Sequence, residues 1–115
     1  MINTAFITKL KNDYRQREQE RRQIISRSND VLFQAKKTIF ALQREELSLA
    51  EEKLRSMEAV LKKMEKDFSP NRLREEGAYH AAAEEYVEAK TLAAIVSGKK
   101  INAITGLHLG YDSYL

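Results

Sequence analysis

Leu47, Ala50, Leu54, Met57, Leu61, Met64 and Phe68 step by 3, 4, 3, 4, 3 and 4 along the chain. That is the period of an a/d seam, in which every apolar position returns to one helix face. Upstream, Leu32, Ala35, Ile39 and Leu42 step by 3, 4 and 3. Between the two runs, Gln43 to Ser48 breaks the register. The pattern predicts two helices packed antiparallel on each other, with Met57 and Met64 as core filler. Further upstream, Phe6, Leu10 and Tyr14 repeat every four residues, behind a helix cap at Asn3 or Thr4. Residues 15–23 carry nothing apolar and predict a projecting or partner-facing stretch of the same helix. Ser26, Ser28, Asn29 and Asp30 prefer caps to helix interiors, so a kink is expected near Ser28.

Asp67 to Asn71 is the clearest turn. Ser69 suits an N-cap and Pro70 the first helical position. A third helix is predicted from Pro70 to Ser97, with Gly98 as its stop. It is rich in Ala and Gly, which let helices approach closely, while Tyr79, Tyr86, Val87, Leu92 and Val96 fill the remaining space. Lys99 to Leu109 reads as a connector. Gly110 to Leu115 reads as the start of a fourth helix, on a chain that stops early. The expectation is one all-α domain over residues 1–115, three long helices and the start of a fourth.

Composition agrees. With 115 residues, 32% charged, one Pro and four Gly, the chain has the makings of long helices joined by few turns. A few long helices bury little surface alone, so self-association is expected. The absence of Cys excludes disulfides and thiolate zinc sites. No apolar run approaches a membrane span, and no signal-peptide layout opens the chain. The expected compartment is the cytoplasm. Charge is uneven: residues 1–44 hold ten Lys/Arg against four Asp/Glu, and residues 45–97 hold eight against twelve. A basic first third points to a polyanion partner, with Arg15, Arg17, Arg21, Arg22, Arg72 and Arg74 as candidate phosphate contacts. Charged helices docking on each other are the alternative.

The chemistry concentrates in Ala83-Glu84-Glu85-Tyr86-Val87-Glu88-Ala89. On a helix, Glu85 and Glu88 share a face, as do Glu84 and Glu88, and like charges so placed repel. Glu18, Glu51 and Glu58 have Arg22, Arg55 and Lys62 four residues on. Glu84, Glu85 and Glu88 are followed instead by Glu88, Ala89 and Leu92. An uncompensated patch of hard oxygens invites Mg²⁺ or Mn²⁺, and metal-bound carboxylates suit phosphodiester hydrolysis. A solvated glutamate face is the alternative. A ferritin-like di-metal bundle lacks its Glu-x-x-His pairs, and no Cys or Ser stands ready for nucleophilic catalysis beside His80. His80 is a candidate proton shuttle, or a hydrogen-bonded structural histidine.

Glu85-Tyr86-Val87-Glu88-Ala89 resembles the acidic helix of the translin and translin-associated factor X family, especially its archaeal nuclease-type members. Ala35 to Gln43 resembles the end of that family's long first helix, Arg72 to Tyr79 the approach to the acidic helix, and Asp112 to Leu115 the beginning of the next. The resemblance implies a translin-like helical bundle in a homo-oligomeric, roughly octameric shell that binds single-stranded RNA or DNA. It also implies a Mg²⁺-dependent single-strand endoribonuclease in which Glu85 and Glu88 hold the metal. Further acids are expected past Leu115, so the 115-residue chain alone is expected to be inactive. The rival expectation is a non-catalytic helical module that binds nucleic acid or a partner helix.

Overall fold

The computed structural model describes residues 3–98, all-α. The connector and the expected fourth helix lie outside the described residues. Helix α1 spans Thr4–Gln43, α2 Leu47–Asp67, α3 Pro70–Arg74 and α4 Gly77–Val96. The long helices pack antiparallel, α2 and α4 both lying against the second half of α1. At 40 residues, α1 is about 60 Å long, and its first turns project from the bundle. Phe6, Leu10 and Tyr14 are all exposed there.

The α2 seam is where the spacing places it. Ala50, Leu54, Met57, Leu61, Met64 and Phe68 are buried, and only Leu47, at the first turn, is exposed. On α1 the seam is shifted. The buried row is Ile24, Ser28, Val31, Ala35, Thr38 and Leu42, so Leu32 and Ile39 flank the core instead of forming it. Two polar residues hide this row from a hydrophobicity pattern. Thr38 satisfies its hydroxyl by donating to the Gln34 carbonyl at 2.8 Å.

Ser28 does not break α1, which is continuous through it. Tertiary burial overrides local preference: the residue is fully buried in the seam. Its hydroxyl has no partner there. A buried unpaired hydroxyl costs stability, so Ser28→Ala should raise stability by about 1 kcal/mol. Equilibrium urea unfolding checks this, and a loss of stability in Ser28→Ala would show that the hydroxyl earns its place.

The α1–α2 turn is closed by a Schellman pair: Glu46 N–H donates to the Ala41 carbonyl at 2.8 Å, and Glu45 N–H to that of Leu42 at 3.1 Å. Glu45 takes the left-handed conformation, with φ of 60°, at the position where Gly is usual.

The expected third helix is two helices. Ser69 Oγ accepts from Arg72 N–H at 3.1 Å, and Pro70 opens α3, as its sequence predicts. Glu76 then turns to extended backbone, with φ of −105° and ψ of 112°. That conformation aims the Glu76 carboxylate at Arg72 Nη1, 2.7 Å away, and at Arg21 Nε of α1, 3.6 Å away.

Candidate functional site

Helix α4 packs on α1 and α2 through small and aromatic residues. Ala82, Ala83, Tyr86, Val87 and Ala89 are buried. Their burial fixes the rotation of the helix, so the intervening acids point outward: Glu85 is half-buried, Glu84 and Glu88 exposed. Tyr86 anchors this register. It is fully buried, and its hydroxyl donates to Glu58 Oε2 of α2 at 2.9 Å. Burial first, then the neighbouring Glu58 carboxylate, push the Tyr86 phenol far up. Glu58 is held below its usual value, chiefly by the Lys62 ammonium at 2.8 Å and then by the Tyr86 hydroxyl.

Three further acids have cations. Asp67 is paired with Arg27 at 2.7 Å, and Glu75 and Glu76 with arginines. Among the three expected i,i+4 pairs, Glu58–Lys62 closes, whereas Glu18–Arg22 and Glu51–Arg55 form no ion pair among the described residues. Glu84, Glu85 and Glu88 differ from the paired acids, for none of them has an ion-pair partner among the described residues. Partial burial, then the charges of Glu85 and Glu84, push the Glu88 carboxyl above its ordinary value. Among the described residues, no group of three or more His, Cys, Asp or Glu side chains converges tightly enough to hold a metal ion by itself. The donor set is one of hard carboxylate oxygens, which suits Mg²⁺ or Mn²⁺ and leaves ligand positions to be filled by water or another element.

The raised carboxyl has a pH signature. Below the unfolded-state value near 4.5, Glu88 is protonated both folded and unfolded, and its repulsion is absent. As pH rises from there through the higher folded-state value, the folded state carries the penalty. Glu88→Gln should therefore match the wild type in stability below that point. At neutral pH it should gain, by roughly 0.2–0.5 kcal/mol for each like-charge pair removed. Thermal melts across pH in metal-free buffer read this directly; a variant less stable than wild type at pH 7 would contradict it.

Three of the six candidate phosphate-binding arginines are engaged within the chain. Arg72 is largely buried and bonds Glu76, with a further hydrogen bond from Nη2 to the Arg17 carbonyl at 3.3 Å. Arg17 and Arg21 reach Glu75 and Glu76 from α1, each at 3.6 Å. This network clamps α1 to the α3–α4 elbow. Its signal in the sequence was the Arg72/Glu76 spacing of four. Arg15, Arg22 and Arg74 are exposed and form no ion pair among the described residues. His80 is exposed, with Nε2 at 2.9 Å from the Arg74 carbonyl oxygen. A carbonyl only accepts, so Nε2 carries the proton, the arrangement of a hydrogen-bonded structural histidine.

No helix among the described residues is long and apolar enough to cross a membrane. No family model, curated protein or solved structure matches this chain.

Proposed function

We propose that this chain is a translin-like, single-strand nucleic-acid-binding protein whose complete form cleaves RNA with Mg²⁺ or Mn²⁺ held at Glu85 and Glu88. The observation that carries the reading is the cluster of Glu84, Glu85 and Glu88, uncompensated by any cation among the described residues, on a helix whose rotation is locked by Tyr86. The resemblance of Glu85-Tyr86-Val87-Glu88-Ala89 to the family's acidic helix supports the same two residues. A bound divalent cation lowers the pKa of its water and neutralises charge on the scissile phosphate. The chain's own part is to hold two carboxylates one turn apart on a rigid helix, with Glu84 adding negative potential beside them. Arg15, Arg22 and Arg74 remain for the phosphate backbone. The exposed stripe of Phe6, Leu10 and Tyr14 on the projecting end of α1 supports assembly with other copies. It equally supports the second reading, a non-catalytic interaction module.

Cleavage of labelled single-stranded RNA, with Mg²⁺ or Mn²⁺ and with chelator, separates the two. The assay uses the full-length protein. Metal-dependent cleavage that Glu85→Gln and Glu88→Gln remove supports the nuclease. Its absence in every version supports the module.

A further inference from the structure

We infer that the outer face of the last turns of α1, with the start of α2 beside it, is a stacking platform for single-stranded nucleic acid, separate from the acidic cluster. Phe33, Lys37, Phe40 and Arg44 step by 4, 3 and 4, so they line one face of α1, beside the buried seam. Phe33 is 57% exposed and Phe40 60% exposed. Two solvent-facing phenyl rings seven residues apart stand about 10 Å apart along the helix. The Lys37 ammonium lies 4.3 Å from the centroid of the Phe33 ring, placing a positive charge at the ring itself. Beside Phe40, a shallow groove runs between Lys37 of α1, Arg44 at its C-cap and Lys53 of α2, and Glu46 is its one acid.

The charges select the occupant. Lys37, Arg44 and Lys53 form no ion pair among the described residues, whereas Arg27, Lys62, Lys63 and Lys90 are all paired with carboxylates. Rings interleaved with cations outside any ion pair are the composition that single-strand binders use: bases stack on the ring faces left open and phosphates follow the charges. A second copy of the chain fits less well. A two-fold contact repeats the same patch on both partners, and here it would set cation against cation. The platform rests on the nucleic-acid reading above but not on the metal site.

The test is the fluorescence anisotropy of a labelled, unstructured oligouridylate with the chain, across a salt series. Both rings are exposed, so substitutions there leave the core intact, and circular dichroism checks the helix content of each variant. Phe33→Ala and Phe40→Ala should each weaken binding roughly five- to 150-fold. Phe33→Leu and Phe40→Leu should weaken it too, because they keep apolar bulk but lose the π face. Changing Lys37, Arg44 and Lys53 together to Gln should flatten the slope of log K against log salt by about 2. If the wild type binds and the ring variants bind equally well, the platform falls and the nucleic-acid reading stands. If the wild type binds no oligouridylate at any salt, both fall. Loss of self-association in the Ala variants but not the Leu variants, with RNA affinity unchanged, would assign the face to a contact between copies and overturn the platform.

Discussion

Glu85→Gln and Glu88→Gln are each expected to lower metal-dependent cleavage of single-stranded RNA by roughly a hundredfold or more, since a Lewis-acid cation contributes several kcal/mol to such a reaction and each 1.4 kcal/mol is tenfold. The amide keeps the size of the side chain and removes its charge. Neither position is in the core, and Tyr86, Val87 and Ala89 keep α4 docked in both variants. RNA affinity should hold or rise, because negative charge near the phosphate is lost. Stability without metal should hold or rise as well, since repulsion within the cluster is relieved. The pairing of lost turnover with retained folding and binding is what distinguishes a metal ligand from a structural residue. Glu52→Gln, an exposed acid on α2, is the control and should retain full activity.

The largest effect on stability is expected at Tyr86. It is the largest fully buried side chain among the described residues, placed where α4 meets the other helices. Tyr86→Ala leaves a cavity and strands Glu58 without its hydroxyl donor, for a cost of about 3–5 kcal/mol. Domains of this size are stable by only about 5–15 kcal/mol, so this variant approaches unfolding. Tyr86→Phe keeps the ring and loses the hydrogen bond, at about 1–2 kcal/mol. The two differ from wild type in acid as well. Glu58 has a lowered folded-state value, so its contribution is present above the unfolded-state value near 4.5 and disappears as pH falls through the folded one. With the hydroxyl gone, less is left to lose, and Tyr86→Phe should show a shallower loss of stability in that window. Urea unfolding at neutral and acid pH measures both. A Tyr86→Ala variant as stable as wild type would mean that α4 is not docked by this residue, and the fixed orientation of Glu85 and Glu88 would go with it.

What the sequence revealed depended on how uniformly apolar each face is. The α2 seam was legible from Ala50 to Phe68 because every member is hydrophobic. The α1 seam was legible only at Ala35 and Leu42, because Ser28 and Thr38 occupy part of it and the apolar Leu32 and Ile39 stand one residue away from its buried positions. Thr38 is tolerated because it bonds backward to the Gln34 carbonyl, a local device without a sequence signal. The turn after Gln43 was visible as a lost register. Its left-handed residue was not, since Glu45 stands where Gly would have announced it. The break between α3 and α4 was hidden because Glu76 stands four residues before His80 and eight before Glu84, in step with an unbroken helix. Only the fold brings Arg21 beside it, from 55 residues upstream.

The acidic cluster itself was legible because the signal is purely local: three glutamates with no Lys or Arg one turn on. A long-range partner would have been invisible in the same way as Arg21, and among the described residues none is found. The face of Phe33, Lys37, Phe40 and Arg44 carried the same kind of local signal. It was missed because the seam was sought in the row of Leu32, Ala35, Ile39 and Leu42, and Phe33 and Phe40 fall outside that row.

The most direct measurement of the central claim is Mn²⁺ binding, followed by the loss of its free-ion paramagnetic resonance signal on titration. It compares wild type, Glu85→Gln, Glu88→Gln and Glu52→Gln, each as the full-length protein. The account predicts saturable binding by wild type and by Glu52→Gln, at least tenfold weaker binding by the other two, and displacement by Mg²⁺. Equal binding by all four, or none by the wild type, would contradict it.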